Sequence, residues 1–343
     1  MPPSTPPIAR TPEGIGPPTT VPELTPRERA VKQALDAVRA RCDVRTRLAA
    51  DPVSLAHRYE DPVDRELVAL ASACIAFGNA KTIVAKAGDL LARLGPRPAT
   101  VAESRSTIEA RLRGWKHRVF RGEDLARLLS GARTLQRQHG SLGALFEAEL
   151  DRQGNLREAL ASWCDALRLA SGLSRGGKWG KPGKSIQSSA SKSPRRGTGR
   201  GRGIGRGSRR GPSHLLPDPR GPSGTKRLLL FLRWMVRPAD GVDLGLWDVD
   251  PACLLIPVDV HIHRLARNLG LTRRSAPSFR TTEEITAALA RFDPHDPVGY
   301  DFALCHMGIV QGCPSRKDAK RCAGCGVKSV CIHWARGQRP LVD

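Results

Sequence analysis

The sequence predicts an all-α protein, and three observations carry that expectation. Aromatic residues are only 4% of the 343, while Ala, Leu and Arg are the commonest residues, a composition that favours helices over a sandwich or barrel. The 40% apolar fraction is enough to fill a core. Helix-opening signatures, in which a capping side chain precedes Pro, recur at Thr25-Pro26, Asp61-Pro62 and Asp296-Pro297.

Residues 1–24 are Pro-rich and aperiodic and read as a disordered arm. A first helix opens at Thr25, where Glu28 completes a capping box and Ala30, Ala34, Leu35 and Val38 recur at helical spacing. A second opens at Asp61, runs through ELVALASACIAF and stops at Gly78; its continuous apolar run marks it as buried. A third spans 80–94, before Gly95-Pro96, and further segments lie at 123–138 and 142–169 with Gly140 between them. Together these make 25–170 a helical region.

Residues 171–213 are rich in Gly, Ser and Arg and carry 12 Lys and Arg with no acid. Such a stretch buries too little apolar surface to offset its ordering entropy and is expected to be a disordered insertion. It reads equally as a nucleic-acid-binding arm with Trp179 as a stacking group or as a solvated insertion. Subtracting its 12 charges from the net +23 leaves +11 on the rest of the chain, so a polyanionic partner is expected of the folded part as well.

The chain becomes dense again over 214–312. Helices are predicted at 226–236 and at 260–269 with Gly270 as C-cap, with one more starting at Thr281 and a last one from Asp296-Pro297. Trp234 and Trp247 read as core, and Arg233 and Arg237 as a solvated face. Asp259 has the place of an N-cap. His261 and His263, two apart, fall on different faces of their helix, one solvated and one packed, which argues against joint metal ligation. Tyr300 and Asp301 read as structural hydrogen-bonding groups.

The N-terminal stretch lacks the apolar core of a signal peptide, and no run approaches the roughly 18 apolar residues of a membrane span. A cytoplasmic protein without a membrane partner is expected. That compartment keeps thiols reduced, so nine cysteines, an odd number, argue against a disulfide framework. Four of them cluster over 313–335, ahead of a short tail at 336–343: Cys313, Cys322, Cys325 and Cys331 are spaced C-x8-C-x2-C-x5-C. A zinc ribbon uses two C-x2-C knuckles and only one is present. Four thiolates with no other donor suit a 4Fe-4S cluster, one sulfur to each iron corner, and zinc is the alternative. Arg316, Lys317, Lys320, Arg321 and Lys328 would offset the cluster's negative charge.

Over 27–334 the chain resembles a bacterial family, the domain of unknown function 2400, through RYEDPVDRE, FLRWMVR, GVDLG and IPVDVH. More distantly, SGTKR, IPVDVHIHRLARNLG, DPHDPVGYDFALCHMGIVQGC and the four cysteines resemble the helix-hairpin-helix DNA glycosylases of the endonuclease III type. The last two cysteine spacings agree with theirs and the first is longer by two. The hairpin stretch PRGPSGTKR keeps only Gly224 at a turn position, and more residues separate Lys226 from Asp259 than in those enzymes.

The resemblance implies a glycosylase-like helical fold whose early helices pack beside a C-terminal iron–sulfur loop, and DNA as the partner. It implies base excision or abasic-site cleavage on damaged DNA. Asp259 would stabilise positive charge on the sugar, and Lys226, with its pKa lowered by partial burial, would form a Schiff base. The alternatives are a non-catalytic DNA- or RNA-binding protein that keeps the scaffold, and an enzyme acting on structured RNA.

Overall fold

A computed structural model of the chain describes residues 23–173, 214–335 and 340–342. The expected arm at 1–24 and the basic insertion at 171–213 fall almost wholly outside the described residues. The described chain is helical apart from one two-stranded hairpin, so the all-α class holds. It divides into two compact units, one made of residues 1–49 with 222–343 and the other of residues 50–221.

In the second unit, α3 (Pro62–Ile75) is the central element. Asp61 caps it by accepting from Val63 N at 2.8 Å, and every residue from Glu66 to Ile75 is buried. Around it stand a 3-10 helix (Pro52–Arg58), α4 (Ala80–Leu94), α5 (Pro98–Ala102), α6 (Arg105–Arg111) and α7 (Gly122–His139). The predicted 142–169 segment is two helices, α8 (Leu142–Gln153) and α9 (Leu156–Ser171), because Gly154 takes a left-handed conformation and Asn155 caps a new start. The buried carboxylate of Glu66 accepts from Leu142 N and Gly143 N at 2.9 and 3.1 Å, an anion seated at the amino end of α8. Helices α7 and α9 approach so closely that a Cβ on Gly131 would come within 2.3 Å of Ser171 Oγ.

The strands β1 (Lys116–His117) and β2 (Phe120–Arg121) pair antiparallel just before α7. Their turn holds Arg118 at φ 52°, a left-handed conformation unusual for a residue other than glycine. No Asn-Gly or Gly-Gly signal marked this hairpin in the sequence.

The first unit contains α1 (Pro26–Ala40), α2 (Val44–Ala49), α10 (Lys226–Val236), α11 (Val260–Leu269), α12 (Phe279–Ala290) and α13 (Asp301–Gln311). The capping box at Thr25 forms as predicted. Helix α1 packs on α13 and on the cysteine loop, where Gly326 lies so close to Val38 that a Cβ there would come within 2.9 Å. Two predicted starts are corrected. Helix α12 is capped by Ser278, whose Oγ accepts from Thr281 N at 3.2 Å, so it opens before Thr281. Asp296 opens a turn rather than α13, because its carboxylate is taken by Arg237.

Candidate functional site

Lys226 is the first residue of α10, and its N-cap, Thr225, sits at φ 44° with no side-chain cap hydrogen bond. An ammonium at the positive end of its own helix is electrostatically disfavoured, so the position needs a compensating anion. Asp259 supplies it. Its Oδ2 accepts from Lys226 Nζ at 3.2 Å, while its Oδ1 accepts from His261 N and Ile262 N at 2.8 and 2.9 Å, capping α11. One carboxylate therefore caps α11, as read from the sequence, and also pairs with Lys226. The pair stays in touch with water, since the Lys226 side chain is 33% exposed and that of Asp259 17%.

The long connection between the two residues folds back on α10. Leu244 N donates to Trp234 O at 2.8 Å, and Leu246 N and Trp247 N donate to Met235 O at 2.7 and 2.9 Å. An ion-pair network fixes this turn. Arg233 Nε donates to Asp243 Oδ1 at 3.1 Å and Arg233 Nη1 to Asp301, while Arg237 reaches Asp243 and grips Asp296 through Nε and Nη2 at 2.9 and 2.8 Å. Arg233, Arg237, Asp243 and Asp301 are all buried. The expectation of a solvated arginine face is thus overturned: both guanidiniums are interior because four aspartates, Asp240, Asp243, Asp296 and Asp301, meet them there. Trp234 and Trp247 are core, as read, and Tyr300 makes its structural hydrogen bond to Asp36 Oδ1 at 2.8 Å. His263 is packed, with Nε2 3.0 Å from Arg274 O, and His261 is half-buried.

Electrostatics set the pair's charge state. Burial pushes the Lys226 amine down, but the charge of Asp259, aided by Cys305 and Asp301, outweighs it and holds the amine above its ordinary value. The expectation of a lowered Lys226 pKa is corrected accordingly; the nearby carboxylate wins over partial burial. Burial pushes the Asp259 carboxyl up, and Lys226 with the amides of Ile262 and His261 outweighs it, leaving the carboxyl below its usual range. At neutral pH the pair is ammonium and carboxylate. Asp301 is pushed up to about 6, by burial first, against the opposing charge of Arg233.

Two buried hydroxyls, Thr225 Oγ1 and Thr282 Oγ1, have no hydrogen-bond partner among the described residues. Thr282 Oγ1 lies 3.5 Å from where a Gly224 Cβ would be, so the PSGTK turn and the start of α12 share this polar corner.

The four cysteines follow α13 on one loop of the same unit, all with free thiols. Turns set their positions: Cys325 N donates to Cys322 O at 3.4 Å and Cys331 N to Lys328 O at 3.3 Å. Burial raises the Cys313 thiol, Asn268 lowers it, and the charges of Cys325, Cys331 and Cys322 raise it further. Among the described residues no group of three or more His, Cys, Asp or Glu is drawn together as a metal-ion site. Lys317 and Lys328 each place Nζ 4.4 Å from the Trp334 ring centroid.

The residue that sequence reasoning missed here is Asn268. From α11 its Nδ2 donates to Cys313 Sγ at 3.2 Å and to Pro314 O at 3.0 Å, its Oδ1 lies 3.1 Å from His333 Nε2, and its carbonyl accepts from Ile332 N at 2.9 Å. It ties both ends of the cysteine loop. Its signal was only an Asn within a helical run, which carries no information about partners 45 and 65 positions away.

Fold and site together define an all-α protein in which helix amino ends bring an amine and a carboxylate into one solvent-touched pair. The chain belongs to the family described as Protein of unknown function (DUF2400), whose profile matches residues 51–310. No curated protein matches the chain, and no solved structure does. No described helix is long and apolar enough to cross a membrane.

Proposed function

We propose that this chain is a nucleic-acid enzyme that removes damaged bases from DNA and cleaves at the resulting abasic site. The observation that carries the reading is the 3.2 Å contact between Lys226 Nζ and Asp259 Oδ2. These are the two residues that the resemblance to helix-hairpin-helix glycosylases assigns to the chemistry, and they meet although the chain between them is lengthened. Asp259 would accept one ammonium proton, freeing the amine. The amine nitrogen then bonds to the sugar C1′ as the bond from C1′ to the base breaks. The base leaves with that electron pair and takes the proton that Asp259 held, and a further amine proton passes to the ring oxygen as the bond from C1′ to that oxygen breaks, which gives the Schiff base. Asp259, ionised again once its proton has passed to the departing base, would stabilise cationic character on the sugar. The uncapped start of α10 and the unpartnered hydroxyls of Thr225 and Thr282 support a phosphate anchor beside the pair.

Cys313, Cys322, Cys325 and Cys331 would hold a 4Fe-4S cluster, with zinc as the alternative occupant. The donor set, four cysteine thiols on one loop, suits a cube with four iron corners. The cluster would organise the basic loop.

Borohydride trapping on DNA containing an abasic site tests the chemistry. A covalent adduct is expected from the wild type and none from Lys226→Ala. No adduct with any lesion would sink the lyase step. A second reading, a non-catalytic nucleic-acid-binding protein on the same scaffold, is favoured by one observation: Lys226 rests as an ammonium held by a carboxylate that also caps its helix. Lys226→Ala would then weaken binding without removing any activity.

A further inference from the structure

We propose that the loop Phe77–Asn79 and the hairpin of β1 and β2, both in the second unit, form a contact site for unpaired nucleotides. In it Phe77 stacks on a base, Arg118 backs the ring, and Arg113, Lys116 and Arg121 hold phosphates. The site rests on the reading of the partner as nucleic acid but not on base excision.

Phe77 lies just past Ala76, the C-cap of α3, a helix buried from Glu66 onward, yet 44% of Phe77 is exposed. Arg118 Cζ stands 4.9 Å from the Phe77 ring centroid. The backbone is shaped for that contact on both sides. Arg118 adopts φ 52°, and Gly78 at φ 116° leaves open the space its guanidinium fills, where a Cβ would fall 2.3 Å from Nη2. Solubility needs neither a strained arginine nor an exposed ring, and backbone strain held in place by surrounding structure clusters at functional sites. Val119, beside Arg118 in the turn, is 43% exposed.

The charge pattern points to a polyanion. From Arg111 to Arg121 the chain has five Lys and Arg and no acid. Arg111 is used internally, donating to Leu94 O at 2.7 Å. Among the described residues no carboxylate lies within ion-pair distance of Arg113, Lys116, Arg118 or Arg121. A cavity of about 640 Å³ is bordered by Arg113, Lys116 and Arg121 and also by Glu109 and Glu123, three cations against two acids, with Glu109 already 3.9 Å from Arg105. An acidic peptide would satisfy the cations but has no use for the ring. A base offers its flat face to a side chain only when unpaired, and an aromatic ring with an adjacent Arg suits that face.

The test measures fluorescence anisotropy of the full chain with a labelled oligothymidine of about 20 nucleotides, with its duplex, and with heparin as a competitor. Phe77→Ala is expected to weaken single-strand binding about 5- to 150-fold with an unchanged salt slope. Phe77→Trp should retain wild-type affinity, which separates loss of the ring from loss of fold. The double change Lys116→Gln with Arg121→Gln should flatten the slope by about 1.4, roughly 0.7 for each phosphate that is no longer neutralised. Unchanged affinity in Phe77→Ala would overturn the proposal, as would an equal loss on duplex and heparin, which would make the site a mere charge patch. Absence of a Lys226 adduct would leave the site standing, and failure here would leave the Lys226 chemistry untouched.

Discussion

Lys226 and Asp259 lie 33 positions apart in the chain and 3.2 Å apart in space, each at the amino end of its own helix. The two ends are not equivalent. A carboxylate is welcome at the start of α11, whereas an ammonium at the start of α10 opposes the helix dipole and is tolerated because Asp259 faces it.

This asymmetry separates charge from capping. Asp259→Asn keeps an acceptor for the amides of His261 and Ile262 and should lower stability by less than about 1 kcal/mol, whereas Asp259→Ala loses the cap and should cost about 1–2 kcal/mol. Both remove the charge that holds the Lys226 amine up, so in each the amine's pKa should fall. Urea unfolding measures the first difference and the pH dependence of borohydride trapping the second. Equal destabilisation by the two changes would show that capping is not the structural role of this carboxylate.

The meeting of the pair depends on the turn braced by Arg233 and Asp243, and removing one partner of a buried network is costly. Arg233→Met leaves the carboxylates of Asp243 and Asp301 buried without their shared cation and should lose about 3–5 kcal/mol of stability. The accompanying Asp243→Leu change should recover part of that loss. Urea midpoints of the single and double variants check this, and an additive loss would refute coupling through the network.

How much of this was legible in the sequence follows from the range of each interaction. The starts at Thr25, Asp61 and Asp259 were readable because a cap is made by residues two or three apart. The start at Ser278 was missed because Thr281-Thr282-Glu283-Glu284 imitates the same signal, while Thr281 and Thr282 are in fact buried. Asp296-Pro297 misled for a different reason: a distant Arg237 takes the carboxylate that would otherwise cap. The burial of Arg233 and Arg237 was unreadable, since flanking residues show their charge but not the aspartates that fold onto them.

Helix α1 is fastened to α12 by Glu28, which accepts from Arg291 Nη2 at 3.0 Å and also contacts its Nε. The Arg291 hydrogen bond, opposed by burial and aided by Thr25, lowers the Glu28 carboxyl from 4.5 to about 2. Because the folded value is below the unfolded one, the contribution is fully present above about pH 4.5 and is lost as pH falls towards 2. With a half-exposed guanidinium screened by water, the loss is about 1–2 kcal/mol. Wild type and Glu28→Gln should therefore differ by that amount at pH near 7 and converge in acid, as measured by urea unfolding across the range. A difference that persists unchanged in acid would assign Glu28 a purely steric role.

Asn268 offers a test of the cysteine loop that leaves every thiol in place. It holds Cys313 and Pro314 at one end and Ile332 and His333 at the other, so Asn268→Leu removes the side-chain ties while the carbonyl bond to Ile332 N can persist. Partners that orient metal ligands typically change metal affinity about 10- to 100-fold when removed. With the proposed iron–sulfur cluster in the loop, the anaerobically purified variant should therefore lose iron and acid-labile sulfide together, in equal proportion, with the helical signal retained. Zinc in place of both in the wild type would identify the loop as a zinc clip. Metal content indifferent to Asn268 would show that the loop holds its thiols without help from α11.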